Sequence, residues 1–223
     1  AVTFTGITVS YGSYSNYKTY CDDTKAYVNY NPAGGTTSCT REAVTKGTNY
    51  TVCSSVPTKT GYTFQGWLSN ETTPQTYQPN ATISNVQNDI VLTAQWTATT
   101  YTITYNGVKT GAENTNPTSY TVEDLPINLV AATHDQWRFD GWTDDNAGNA
   151  DITTIPAGTT GNQSFTAHWT QRYAVTWYEE STPTVTYFDP GATLTFPADP
   201  SAPASCSEKK FVGWMVGTIT GET

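Results

Sequence analysis

The sequence predicts a mainly β protein, with a slight α+β tendency, built from small tandem repeats. Three motifs that recur every 72 to 75 residues carry this prediction. A signature motif ending in Gly-Trp occurs at Gly61–Trp67, Gln136–Trp142 and Lys209–Trp214. A closing motif occurs at 93–97 and 166–170, and an opening motif at 27–30, 101–105 and 173–177. In these motifs aromatic or apolar residues alternate with other residues, which is typical of a strand with one buried face.

The composition limits the functional classes. Of 223 residues, 36% are hydrophobic, 13% charged and 13% aromatic, and the mean hydropathy is −0.47. Low hydrophobicity alone would suggest disorder, but the aromatic residues with abundant Val, Ile and Thr favour a folded β-structure. The net charge of −9 and the ten scattered Lys and Arg residues argue against nucleic acid as a partner. No apolar run of about 18 residues predicts a membrane span, and we interpret the start at Ala1 as that of a mature or trimmed chain.

Residues 1–25 stand outside the repeats and form an N-terminal extension. Val2–Val9 alternates well enough to be interpreted as a strand. The polar, tyrosine-rich stretch Ser10–Tyr17 has no clear period, and its place in the fold stays open.

Repeat one is assigned to residues 26–97. Its predicted strands, in order, are Ala26–Tyr30, Asn49–Cys53, the signature strand Gly61–Trp67, Ala81–Val86 and the closing strand Asp89–Trp96. Asn31–Gly35 turns the chain after the opening strand, and Ser69–Pro79 is a polar loop. Nothing has the length or the 3.6-residue period of a good helix, so we expect at most one short helical turn, at Arg41–Thr45.

Repeat two is assigned to residues 98–170 and keeps the same order. Its opening strand Tyr101–Tyr105 ends at Asn106-Gly107, a strong two-residue turn signal; the later strands are Thr118–Val122, Trp137–Trp142 and Gln163–Trp169. Repeat three is assigned to residues 171–223. Only nine residues follow Trp214, whereas the closing Trp of the other repeats follows the signature Trp by 29 and 27 residues. Repeat three therefore lacks its closing strand.

This order of motifs resembles the Listeria–Bacteroides repeat family, the internalin-B-type B repeats. Repeat one carries the pattern almost complete, in Gly61–Trp67 and Asp89–Trp96. Repeat two has Gln136-Trp137 where the pattern has Gly-Tyr, and repeat three keeps only Phe211, Gly213 and Trp214. The resemblance implies β-grasp-like modules, mostly of strands, in tandem on bacterial surface proteins. It implies no catalytic residues.

The motif aromatics are the predicted structural core, because a unit of this size needs large side chains to fill its interior. They are Phe64, Trp67, Trp96, Phe139, Trp142, Trp169, Phe211 and Trp214. The glycine before each signature Trp is expected to let the indole lie across a neighbouring backbone. The alternative is that the tryptophans form a platform on which sugars stack, but their regular alternation favours the core.

The sequence offers little catalytic chemistry. Of the two histidines, His168 takes a position that Gln95 fills in repeat one, which favours a surface residue over a catalytic base. No Ser/His/Asp order, His pair or Cys-x-x-Cys is present, and no cofactor is expected. The acidic loop with Asp144, Asn146 and Asp151 is a weak candidate for calcium, since it lacks a closing bidentate Glu.

The four cysteines favour disulfides over metal or redox chemistry, because their number is even and the chain has surface-protein character. Cys39 and Cys53 flank an apparent hairpin within one repeat and are the preferred pair. Cys21 and Cys206 remain, each as a candidate for a second disulfide or as a free buried thiol.

These observations favour a non-enzymatic structural or adhesive protein, extracellular or on a bacterial cell surface, that acts as a stalk, spacer or filament subunit. The alternative is a glycan-binding module that uses exposed aromatic residues. Expected partners are a host or cell-surface protein, a glycan, or further copies of the chain.

The incomplete third repeat suggests a route to self-association. A module without its closing strand exposes unpaired backbone groups, and Val2–Val9 of a second copy is a candidate donor strand. Such a head-to-tail contact would build an open filament and bring Cys21 and Cys206 towards one junction. The alternative, which we favour, is that the sequence is a fragment whose further residues supply the strand.

Overall fold

A computed structural model describes residues 23–179, residues 182–198 and Gly213. The chain divides into two compact units. The first contains the chain up to Thr100 with Thr121–Asp124 and Gly158–Thr160, and the second contains Tyr101–Tyr120, Leu125–Ala157 and the chain from Gly161. The predictions for Val2–Val9, Cys21, Cys206, Phe211 and Trp214 lie outside the described residues.

The first unit consists of short strands around one core. The strands are β1 (Lys25–Asn31), β2 (Glu42–Thr45), β3 (Tyr50–Thr51), β4 (Tyr62–Ser69), β5 (Thr76–Tyr77), β6 (Thr82–Ile83) and β7 (Ile90–Ala98). Five of them form a sheet in the order β2-β1-β7-β4-β5, and β3 pairs with β6. In β7 the buried Ile90, Leu92 and Ala94 alternate with more exposed residues, because successive side chains of a strand point to opposite faces.

The second unit repeats this arrangement. Its strands are β8 (Tyr101–Asn106), β9 (Ser119–Tyr120), β10 (Ile127–Asn128), β11 (Trp137–Asp144), β12 (Ala150–Ile152), β13 (Thr154–Ile155) and β14 (Gln163–Gln171). The main sheet has the order β9-β8-β14-β11-β12, and β10 pairs with β13. Within the described residues the 3₁₀ turn Asp145–Ala147 is the only helical element, so the slight α+β tendency is limited to this turn.

The first and last strands of each unit are parallel neighbours in the middle of the main sheet. In the first unit Val28 pairs with Ile90 and Asn31 with Thr93. In the second unit β8 and β14 pair in the same way, starting with Ile103 opposite Gln163. The main sheets are therefore mixed, since the remaining strand pairs are antiparallel. The predicted mainly β fold class of small repeated modules is confirmed.

A β-bulge interrupts each signature strand. In β4, Phe64 lies opposite Trp96 while Gly66 lies opposite Gln95, so one extra residue is accommodated on β4. Gly66 has a φ of 142°, a conformation that favours glycine. The bulge restores the alternation after the extra residue, so Phe64 and Trp67 lie on the same face although they are three residues apart.

The described part of the third repeat is a hairpin of β15 (Tyr173–Glu179) and β16 (Thr182–Phe188). Polar contacts join it to the rest of the second unit. The Arg172 guanidinium donates to the carbonyl oxygens of Asp135, at 3.1 Å, and Tyr187, at 3.0 Å. Its Nε also lies 3.1 Å from Asp189 Oδ1. The hairpin thus belongs to the same compact unit as repeat two.

Three local predictions were wrong. Arg41–Thr45 is not a helical turn: residues 42–45 form β2, because their backbone pairs with β1. The cysteines Cys39 and Cys53 do not flank a hairpin, since β2 pairs with β1 and β3 pairs with β6. The segment Ser69–Pro79 is not wholly a loop, because Thr76–Tyr77 forms β5 and pairs with β4. The prediction that the opening strand of repeat two ends at Asn106-Gly107 is confirmed.

Candidate functional site

Four aromatic side chains form a continuous row in the first unit, and we call this row the aromatic frame. The Tyr30 and Trp67 rings are 4.9 Å apart, Trp67 and Phe64 are 5.3 Å apart, and Phe64 and Trp96 are 5.6 Å apart. All three pairs meet edge to face, which is a favourable geometry for aromatic rings. The signature and closing tryptophans are therefore linked through Phe64.

The second unit has the same frame in Tyr105, Trp142, Phe139 and Trp169. Successive ring centroids are 5.0, 5.1 and 5.2 Å apart. Because eight aromatic side chains at corresponding positions make the same contacts, the sequence repeat corresponds to one physical construction that is used twice.

Burial differs along the frame. Trp67 and Trp142 are 0% and 3% exposed and lie in the centres of the two cores. Trp96 and Trp169 are only partly buried, as are Phe64 and Phe139, and all four side chains pack against the cores. These two indoles lie at the edge of the core because each donates a hydrogen bond to a turn: Trp96 to Pro32 O at 3.0 Å, and Trp169 to Gly107 O at 2.9 Å.

The glycine that makes room for an indole is Gly35. A Cβ on Gly35 would lie 2.6 Å from Trp96 Cζ2. The signature glycines have a different role from the predicted one. A Cβ on Gly66 would meet Thr76 and not an indole, and one on Gly141 would meet nothing within 4 Å. Both signature glycines have positive φ at a bulge, so backbone conformation explains them.

Cys39 and Cys53 are joined by a disulfide, as predicted. The bond fastens the loop after β1 to the segment that precedes the signature strand. Cys39 follows, by three residues, the position at which Thr36 pairs with Thr58.

In the second unit, the loop after the opening strand is fastened without a disulfide. Asn116 follows Glu113 by three residues, and Glu113 pairs with Thr133 as Thr36 pairs with Thr58. The Asn116 amide accepts from Val130 N and donates to Val130 O, both at 2.7 Å, and the side chain is buried. A covalent bond and a pair of hydrogen bonds thus serve the same purpose. Sequence reasoning missed Asn116, because its position becomes visible only when the loop lengths are aligned by strand pairing.

We expect Asn116→Ala to destabilise the second unit by about 2 kcal/mol, because it removes a buried side chain that makes two hydrogen bonds to the backbone of Val130. Hydrogen exchange of amides in β8, β11 and β14 would measure the loss. Asn128→Ala is the matched control: Asn128 is exposed and accepts one hydrogen bond, from Thr154 Oγ1. Equal protection in the parent and the Asn116 variant would show that the amide does not fasten the loop.

Two further side chains outside the predicted set connect the central strands. Asp89 Oδ1 accepts from Tyr27 N at 2.8 Å, and Asn162 Oδ1 accepts from Thr102 N at 3.0 Å. Both residues immediately precede the closing strand of their unit. The sequence did contain a signal for these two contacts: a short side chain with an oxygen acceptor recurs directly before the closing strand.

Two tyrosines, the buried Tyr50 and the partly buried Tyr105, give the protein a pH dependence. Burial raises the pKa of Tyr105 to about 12. Burial, with the hydrogen-bonded Tyr30 hydroxyl, raises the pKa of Tyr50 above its ordinary value. The fold favours the neutral phenol, so this stability is present below the unfolded pKa of about 10 and is lost as the pH rises through the folded pKa.

We expect the free energy of unfolding to fall as the pH rises from about 10 to about 12. Tyr105→Phe should show a shallower decline in the second unit, since phenylalanine has no proton to lose. Urea titrations at several pH values would measure both slopes. Parallel slopes in the parent and the variant would contradict the assignment to Tyr105.

The candidate calcium loop is held by its own hydrogen bonds. Asp144 Oδ1 accepts from Asn146 N at 2.9 Å, and Asp151 lies in β12. The hydroxyl groups of Ser164 and Thr166, with the Asn106 amide, donate to Asp145 and hold its pKa below the usual range. A bound cation would have to displace some of these donors. No cluster of three or more His, Cys, Asp or Glu side chains suited to a metal occurs in the described ranges.

We expect neither EDTA nor millimolar calcium to shift the melting temperature. Thermal melts with each additive would show this, with magnesium as the control ion. A shift of several degrees with calcium alone, lost in an Asp144→Asn variant, would assign a metal to this loop.

The histidines have structural contacts. His168 Nε2 lies 2.9 Å from Thr143 Oγ1 across the pair β11–β14, and the ring of His168 is exposed. His134 Nδ1 accepts from Gln136 N at 3.0 Å, and its ring is 6.4 Å from that of Trp169.

Comparison with known proteins agrees with the repeated construction. Residues 27–95 match the model of the Listeria-Bacteroides repeat domain, and residues 101–172 match that of the divergent InlB B-repeat domain. The matched models describe repeat domains and not enzymes.

Internalin H of Listeria monocytogenes serovar 1/2a (strain ATCC BAA-679 / EGD-e) is 36% identical over 121 residues. The match covers 52% of this chain but only 21% of internalin H. In the described part of the chain, no helix has the length and hydrophobicity to cross a membrane. The resemblance seen in the sequence is confirmed: residues 27–95 and 101–172 are repeats of the Listeria–Bacteroides family, the internalin-B-type B repeats.

Proposed function

We propose that the chain is a non-enzymatic structural or adhesive protein of a bacterial cell surface, in which the repeats act as stalk or spacer units or as parts of a filament. The observation that supports this proposal is that the aromatic frame occurs in both units. Four aromatic side chains of each unit pack in the aromatic frames, and the indole N–H groups of Trp96 and Trp169 donate to backbone carbonyls. These side chains are therefore used for structure.

Two further features favour an extracellular location. A disulfide links Cys39 and Cys53, and disulfides persist in oxidising compartments. The related internalin H and the two matched repeat families point the same way. The net charge of −9 would keep such a chain soluble at a surface.

The second candidate function is glycan binding by exposed aromatic residues. Tyr173 and Tyr178 of β15 are 66% and 75% exposed, and Phe196 is 58% exposed. Aromatic faces of this kind can stack on sugar rings. The tyrosines of β15, and not the frame tryptophans, are the residues on which this alternative depends.

Spacer and adhesive roles can be separated by exchanging the repeats. The chain would be displayed on a bacterial surface with a reporter binder at its outer end, and capture of a target at a fixed distance would be measured. Deletion of repeat one should reduce capture, and replacement of repeat one by a second copy of repeat two should restore it. Capture that depends on the identity of repeat one would instead support an adhesive surface. Loss of glycan-array binding in Tyr178→Ala would support the second candidate.

Self-association by strand addition remains a prediction, because Val2–Val9 and Phe211–Trp214 lie outside the described residues apart from Gly213. Deleting residues 1–10 and following assembly by light scattering would test it. Polymers that disappear while monomers stay folded would support donation, and a parent chain that is monomeric throughout would end the hypothesis.

A further inference from the structure

We propose that each unit is a mechanical clamp that resists a pulling force applied through its two chain ends. This inference rests on the proposed stalk function and specifies what such a stalk unit does. The features that carry it are the direction of the central strands and the side chains that tie their ends together.

The strand order sets the direction of the load. In the described residues of repeat one, the chain starts with β1 and ends with β7, and these strands are parallel neighbours with Val28 opposite Ile90 and Asn31 opposite Thr93. The entry point and the exit point therefore lie at opposite ends of one strand pair. A pull on the chain draws β1 and β7 in opposite directions along their own axes.

Sliding of this kind loads the hydrogen bonds of the pair together, because the bonds run between the strands and are spaced evenly along them. A hairpin that is pulled at its open end loses its bonds one after another. The pair β8–β14 has the same direction and the same order in the second unit, from Ile103 opposite Gln163 to Asn106 opposite Thr166. Both central strand pairs are therefore oriented to resist a force that acts along the chain.

Each clamp is also tied at both ends by a side chain, and we call these four contacts the end ties. At the start of the pair, Asp89 accepts from Tyr27 N and Asn162 accepts from Thr102 N. At the other end, the closing indoles donate to the turns after the opening strands, at Pro32 O and Gly107 O. The end ties join the opening strand to the closing strand beyond the ladder itself, so sliding must break them as well.

The disulfide of the first unit allows that unit to be recognised when the chain is stretched. Cys39 and Cys53 both lie between β1 and β7 in the sequence, so their bond does not bypass the clamp. After the clamp has opened, the bond keeps the loop between Cys39 and Cys53 from extending, and these two residues are 14 positions apart in the sequence. At roughly 3.5 Å per extended residue, this loop corresponds to about 50 Å of chain.

The test is to stretch the whole chain between handles at its two ends. We expect two large steps, from the chain between Val28 and Ile90 and between Ile103 and Gln163. At roughly 3.5 Å per residue they are about 170 Å for the oxidised first unit and about 210 Å for the second. A reductant should lengthen the first step by about 50 Å and leave the second unchanged, which assigns each step to its unit.

The end ties give matched variants within one molecule. At constant force, Asp89→Ala should shorten the lifetime of the first unit roughly fivefold to tenfold, as expected for one lost hydrogen bond, and leave the second unit unchanged. Asn162→Ala should do the reverse. Ile83→Val is the control for general destabilisation: Ile83 is buried in β6, which pairs with neither β1 nor β7. It should lower the melting temperature with little effect on lifetime under force.

A second pulling direction completes the test. A handle on an unnatural amino acid in place of Lys46, used with the N-terminal handle, pulls on the open end of the β1–β2 pair, where Lys25 lies opposite Thr45. This direction should open the first unit at a clearly lower force. Equal forces in both directions, or equal effects of Asp89→Ala and Ile83→Val, would overturn the clamp. Either result would leave the surface role to be decided by the repeat-exchange experiment.

Discussion

Replacing Trp67 by alanine is expected to unfold the first unit while the second stays folded. Trp67 is fully buried and contacts the rings of Tyr30 and Phe64. Truncating a buried tryptophan costs about 3–5 kcal/mol, which is comparable with the whole stability of a module of this size. Amide spectra by NMR would show collapsed dispersion for the first unit only.

Two variants make this result interpretable. Trp142→Ala should have the reciprocal effect, because Trp142 holds the corresponding place in the second unit. Tyr178→Ala should leave both units folded, since that ring is 75% exposed. A Trp67→Ala protein that melts like the parent but loses binding to a glycan would replace the structural interpretation with the platform of stacking rings.

The second large effect is expected on removal of the disulfide. Cys39→Ser combined with Cys53→Ser should destabilise the first unit by about 3 kcal/mol, because the unfolded chain regains the freedom of a short closed loop. Chemical denaturation of parent and variant, each with and without a reductant, would measure the change. The variant should be insensitive to the reductant.

The second unit is the internal control for this experiment. Its described part contains no cysteine and fastens the corresponding loop through Asn116 and Val130. A reductant should therefore leave its hydrogen-exchange protection unchanged. A parent first unit as stable in reductant as without it would show that the disulfide contributes little to folding.

The repeated units and most of the long strands were predictable, because the pattern of alternating aromatic and apolar residues is strong in β1, β4, β7 and their counterparts. Of the two-residue strands, β3, β6 and β9 were predicted too long and the other three were not predicted. The strand β2 was mistaken for a helical turn. Strands as short as β3 and β6 exist through their partners and leave little periodic signal of their own.

The bulge shows why the signature motif was only partly understood. Strict alternation would place Phe64 and Trp67 on opposite faces, yet their rings are 5.3 Å apart. The extra residue on β4 resolves this, and its signal was the glycine before the tryptophan. The end ties at Asp89 and Asn162 depend on a neighbouring strand, so the sequence around them gave no direct indication of their partner.

The bulge also has a consequence for how such repeats can diverge. The loop after the opening strand is two residues longer in the second unit, from Tyr105 to Glu113 as against Tyr30 to Thr36, and the strand pairing tolerates this change. Removing Gln65 would take out the extra residue and leave Phe64 and Trp67 on one face of a regular strand. Removing a residue elsewhere in β4 would instead turn every side chain beyond it to the opposite face. Insertions and deletions should therefore accumulate in the loops and at the bulge during evolution, whereas the rest of β4 behaves as a unit of fixed length.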